Sequence, residues 1–155
     1  MPRIRKAWIY RVKGYDGEGS SIYGQTASKA RYQAWTDLVD CCPDLKLIEV
    51  SVRRDPARDM VLPDEHRLVA ELTTAERKIV SHAYGSDARQ PGYRDHYCTA
   101  PGNRALVRLT FELGIFEGPF GEKGYGETPG WSGAFFHLTA LGREIARSML
   151  PTYPG

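Results

Sequence analysis

Between Ala7 and Arg53 the hydrophobic period changes twice, from two to about 3.6 and back to two. That order calls for a helix laid across one face of a small sheet. Ala7 to Lys13 (AWIYRVK) alternates and is rich in residues that suit a pleated strand. Gly14 to Gly19 is a turn cluster, and Ser20 to Gln25 (SSIYGQ) resumes a short strand, so the pair predicts a hairpin. From Thr26 to Cys42 apolar residues fall three and four apart, at Ala27, Ala30, Ala34, Trp35, Leu38, Val39 and Cys42, the stripe of an amphipathic helix. Thr26 or Ser28 suits its N-cap, and Pro43 stops it. Leu45 to Arg53 (LKLIEVSVR) then places Ile48, Val50 and Val52 on one face of a strand, with Trp35 expected to pack on Ile48. Residues 1–56 therefore read as a β-β-α-β module.

Residues 57–71 read as a linker. Arg53 to Asp64 holds two prolines and six charges, a solvated segment. A second module is expected over 72–155. Thr73 and Glu76 have the spacing of a capping box, and Gly85 suits the position after a helix that presents Val80, Ala83 and Tyr84. Ser86 to Gly102 is broken by Pro91-Gly92 and Pro101-Gly102 and reads as a loop. Asn103 caps a helix with Ala105, Leu106, Leu109 and Leu113 as its stripe. Ile115-Phe116 and Ala134 to Leu138 read as strands either side of a glycine-rich stretch, Glu117 to Gly133. Thr139 caps a last helix with Leu141, Ile145 and Met149 inward. The expected class is α+β: a β-β-α-β module followed by a helical module with a glycine-rich wing.

Two motifs carry a family resemblance. Ala105 to Phe116 (ALVRLTFELGIF) resembles a winged-helix recognition helix running into its first wing strand. Phe136 to Glu144 (FHLTALGRE) resembles the second wing strand and the cap of the next helix. The resemblance implies duplex DNA as a partner, read by Arg104 and Arg108 on the outer helix face, with Arg104 able to grip a guanine edge in two places. The pattern departs from that family in two ways. Arg89 to Thr99 is Pro/Gly-broken where a DNA-reading member carries a helix, and the wing carries Glu117, Glu122 and Glu127 against Lys123. The whole two-module arrangement, through the stretch Gln25 to Pro56, is similar to small prophage-encoded proteins of unassigned role. That resemblance implies a binding protein that grips, and blocks, a host protein or nucleoprotein complex such as a CRISPR defence complex.

Charge and cysteine content narrow the classes further. Residues 1–59 carry 11 Lys/Arg and 8 Asp/Glu, a balance of +3, and residues 60–155 carry 10 and 11, a balance of −1. Neither is the strongly basic surface of a general nucleic-acid binder. Cys41, Cys42 and Cys98 have no zinc-ligand spacing and read as reduced thiols, so no metal and no cofactor is expected. No apolar run approaches the roughly 18 residues of a membrane span, and no signal-type apolar stretch follows Met1 to Lys6, so a cytoplasmic protein without membrane contact is expected.

No catalytic constellation stands out. His82 suits a helix C-terminus. His96 and Cys98 sit two apart without a recognisable third group, and Gly121 to Gly126 lacks phosphate-loop spacing. The residues that point to function are the aromatics of the glycine-rich stretch. Phe120, Tyr125 and Trp131 are expected as partner-binding anchors, with Glu122, Lys123 and Glu127 as their polar rim. The expectation is a non-enzymatic binding protein; the alternative is a winged-helix transcriptional regulator.

Overall fold

The computed structural model describes residues 3–15, 17–86, 91–120 and 133–152. The fold is α+β, in two compact units. The first unit is built from the chain up to Leu62 together with the stretch from Pro151; the second is Pro63–Leu150.

The first unit contains β1 (Arg3–Arg5), β2 (Ala7–Val12), β3 (Ser20–Tyr23), α1 (Ala27–Val39), β4 (Val50–Arg54) and β5 (Met60–Leu62). β2 is central and antiparallel to both neighbours, in the order β3-β2-β4. The hairpin and the helix follow the sequence pattern, and Thr26 is the N-cap, its side chain accepting from the Lys29 amide. α1 packs on one sheet face through Ala30 and Ala34, over Tyr10, Ile22 and Val50. The approach is close at Gly24, where a Cβ would lie 2.8 Å from Ala30.

Two expectations for this unit are corrected. Leu47–Glu49 is a 3₁₀ turn, and β4 starts only at Val50. That turn breaks the alternation, and Ile48 is 86% exposed. Trp35 instead packs beside Leu45, and its indole N–H donates to the Leu45 carbonyl at 2.8 Å. Trp35 is half-buried, so Trp35→Ala is expected to cost about 2–3 kcal/mol, short of the roughly 3–5 for a fully buried ring. Ile48→Ala is expected to stay within about 0.5 kcal/mol of wild type. Urea unfolding of the two variants checks the pair; equal losses would return Ile48 to the core.

The segment read as linker is also structured. β5 pairs antiparallel with β1, Ile4 opposite Val61, and Arg67–Glu71 forms a 3₁₀ helix in the second unit. Asp59 secures the start of β5: its carboxylate accepts from the Ala7 amide (2.9 Å) and from Arg54 (2.5 Å). The Arg54 hydrogen bond holds the Asp59 carboxyl below the usual range. Arg5 is buried, and its Nε donates to the Pro151 carbonyl at 2.6 Å.

The second unit runs α2 (Thr74–Tyr84), β6 (His96–Thr99), α3 (Arg104–Val107), β7 (Phe116–Phe120), β8 (Ala134–Leu138) and α4 (Ala140–Ser148). α3 continues as a π-helical turn over Arg108–Glu112. The sheet is antiparallel in the order β6-β8-β7. Its core joins Val80 and Ala83 of α2, Leu106 and Leu109, Phe116, Phe136 and Leu138, and Ile145 of α4. The caps at Thr73, Asn103 and Thr139 and the left-handed Gly85 (φ 69°) stand where the sequence places them. β6 is not legible in the sequence: its four residues are all half-buried and show no alternation.

α4 is fastened to the residue before β7. The Thr139 amide donates to the Ile115 carbonyl (3.0 Å), and its hydroxyl contacts the Gly114 carbonyl (2.7 Å). The same hydroxyl oxygen accepts from the Gly142 amide at 3.1 Å. Helix and backbone then meet at Gly142, where a Cβ would lie 2.1 Å from the Ile115 oxygen.

Candidate functional site

Side chains alternate across β8, so Phe136 enters the core while Phe135 and His137 stand on the opposite sheet face. Register brings His96 opposite His137 and Cys98 opposite Phe135 from β6, and Glu117 opposite His137 and Phe120 opposite Phe135 from β7. The result is a half-exposed face of rings. His96 and His137 centroids are 6.0 Å apart, Phe120 lies 5.6 Å from His137, and His96 lies 5.8 Å from Phe135.

One carboxylate organises the end of this face. Asp95 Oδ1 is 3.4 Å from His96 Nδ1 and 3.6 Å from His137 Nδ1, and its Oδ2 accepts from Arg143 at 3.0 Å. Sequence alone pairs His96 with Cys98 and offers no orienting group. The register across β6 and β8 supplies His137, and the adjacent residue supplies the carboxylate. Among the described residues no group of three or more His, Cys, Asp or Glu is arranged to hold a metal ion.

Phe120 is 46% exposed and stands on this face, at the end of β7. The other expected partner-binding residues, Glu122, Lys123, Tyr125, Glu127 and Trp131, lie outside the described residues.

The residues assigned to DNA reading divide. Arg104 is exposed in the first turn of α3. Arg108 is committed inside the unit: its Nη1 lies 2.8 Å from both carboxylate oxygens of Glu76, which is 3% exposed. Burial pushes the Glu76 carboxyl up. The Arg108 hydrogen bonds and those from the Thr73 amide and hydroxyl outweigh it, and the group sits below its ordinary range. The capping box foretells the Thr73 contacts; nothing in the local pattern shows the arginine, which comes from 32 residues away. The outward face beyond Arg104 is apolar, with Val107 39% and Phe111 69% exposed.

Among the described residues the first unit includes two concavities. One, of about 550 Å³, lies between the hairpin turn and the end of α1 and is lined by Tyr10, Tyr15, Leu38 and Leu45. The charged residues around it are exposed or half-exposed. The other, of about 290 Å³, lies on Ile9, Arg11, Ser51, Val52 and Arg53. Among the described residues no helix is long and apolar enough to cross a membrane. No family model matches the sequence, and no curated protein or solved structure matches it.

Proposed function

We propose that this protein is a non-enzymatic binding protein of phage or prophage type that acts in the cytoplasm. It engages a host protein or nucleoprotein complex, a CRISPR defence complex being one such target, and blocks it by occupancy. The observation that carries the reading is Phe120, a large ring left exposed beside His137 on an open sheet face, at the foot of the glycine-rich stretch. Aromatic side chains with arginine dominate the energetics of protein interfaces. Here Phe120 and Phe135 supply the rings and Arg143 the cation. The exposed Phe111 adds apolar surface on the helix.

The test is affinity capture with the full chain from a bacterial lysate, followed by titration of the captured partner. Phe120→Ala is expected to weaken that partner by about 2 kcal/mol, roughly 30-fold, with the fold intact by circular dichroism. Unchanged affinity in the folded variant removes the face from the interface.

A second reading, a winged-helix DNA-binding regulator, draws support from the element order α2-β6-α3-β7-β8-α4 and the sheet order β6-β8-β7. It loses Arg108 to Glu76 and is left with Arg104 beside an apolar surface. Phosphate neutralisation there is slight, so the protein-binding reading is preferred.

A further inference from the structure

The helix of the first unit covers one face of its sheet. The opposite face carries a different chemistry. In β2, Ile9 and Arg11 point away from α1, since Tyr10 between them is in the core. Register places Arg53 and Ser21 opposite Ile9, and Ser51 opposite Arg11. The 3₁₀ turn Pro56–Arg58 adds Arg58, whose Nη1 donates to the Ser21 hydroxyl at 2.6 Å.

The charges on this face are unbalanced. Arg11 and Arg53 are exposed, and among the described residues neither guanidinium has a carboxylate partner. Arg58 is 59% exposed and lies 3.4 Å from Asp55. Lys13, next in the alternating row after Arg11, is exposed as well. Of the acids near this face, Glu49 accepts from the Lys46 amide and Asp59 is held by Arg54, while the exposed Glu18 lines a concavity together with Arg11 and Lys13. The groove of about 290 Å³ is lined by Ile9, Arg11, Ser51, Val52 and Arg53.

We propose that the exposed arginines of this sheet face bind a single strand of nucleic acid, held by its phosphates on Arg11, Arg53 and Arg58. Charge complementarity selects a polyanion. Arg11 and Arg53 are diagonal neighbours on paired strands, a spacing of about 7–8 Å between backbones, close to the step between successive phosphates of an extended strand. The Ser21 hydroxyl accepts from Arg58 and keeps its own proton to donate beside them, whereas the Ser51 hydroxyl donates to the Arg11 carbonyl at 3.3 Å. Ile9 and the half-buried Tyr23 give a sugar or base an apolar surface that a duplex, with its bases turned inward, does not use. The face belongs to the first unit alone. The inference is therefore independent of the protein-binding surface proposed for the second unit.

The experiment is fluorescence anisotropy of a labelled oligouridylate against the full chain over a salt series. Wild type is expected to bind with micromolar affinity at low salt and to weaken as salt rises. The double variant Arg11→Gln, Arg53→Gln changes two exposed side chains and is expected to keep the wild-type melting curve. It is expected to flatten the logarithmic salt slope by about 1.4, near 0.7 for each single-strand phosphate that is no longer neutralised. Phe120→Ala is expected to leave the slope unchanged, which separates this result from failure of the protein-binding reading. Absence of binding at the lowest salt overturns the proposal. So does a slope that the double variant does not alter, or more effective competition by a duplex or by polyglutamate than by unlabelled oligouridylate.

Discussion

Gly142→Ala is expected to destabilise the second unit by about 3 kcal/mol, at the upper end of what overpacking usually costs. In an isolated helix the same change is favourable by about 1 kcal/mol, because glycine is a poor helix former. The sign reverses here because the new Cβ would sit 2.1 Å from the Ile115 carbonyl oxygen and 3.0 Å from Leu138 Cδ2. Backbone cannot swing aside as a flexible side chain does. That carbonyl already accepts from the Thr139 amide, so moving α4 away also loosens its cap. Thermal unfolding is the measurement, and a fall in Tm of more than about 10 °C is expected. A stabilised variant would show that α4 and the Ile115 backbone are not in contact.

Glu76→Ala is expected to cost about 3 kcal/mol, because one carboxylate serves two structures. It closes the capping box with Thr73 and it holds Arg108, and alanine does neither. The pair also sets a pH dependence. The folded-state value of Glu76 lies below its unfolded value, so its contribution is complete above the unfolded value, near 4.5. It is lost as pH falls through the lower, folded value. Stability of the wild type is therefore expected to drop on acidification below about pH 4, and Glu76→Gln is expected to blunt that drop. Denaturant midpoints across an acid series check both; parallel pH profiles for wild type and Glu76→Gln would remove the buried carboxylate from the account.

The elements that the sequence discloses are those whose cause is local. A helix cap is settled within four residues, and the caps at Thr26, Thr73, Asn103 and Thr139 stand as read. The elements it hides are settled by partners far away. β1 is three residues, two of them arginine, and becomes a strand only because Met60–Leu62 lies beside it. The alternation through Ile48 is a false continuation, because a 3₁₀ turn with a Lys46–Glu49 cap fills those positions. On the candidate site, Phe120 stands out in the sequence as a ring too large for a glycine-rich stretch, and it is exposed. The Asp95, His96 and His137 cluster is invisible there, since it needs the register of β6 on β8, and β6 has no sequence signal of its own. Arg108 looks free on a helical wheel. Its long side chain reaches a buried acid that the wheel does not contain.

The hydrogen bond between Arg5 and the Pro151 carbonyl spans 146 residues and lies within one unit. The second unit is thus threaded into the first as an insertion, and this sets an order on biosynthesis. At about 5–20 residues per second, a ribosome takes roughly 7–30 s to go from Arg5 to the residue that receives its hydrogen bond. During that interval α1 can already close on β2, β3 and β4, all encoded before Pro56. The nascent chain completes its first unit last, after every residue of the second has been made.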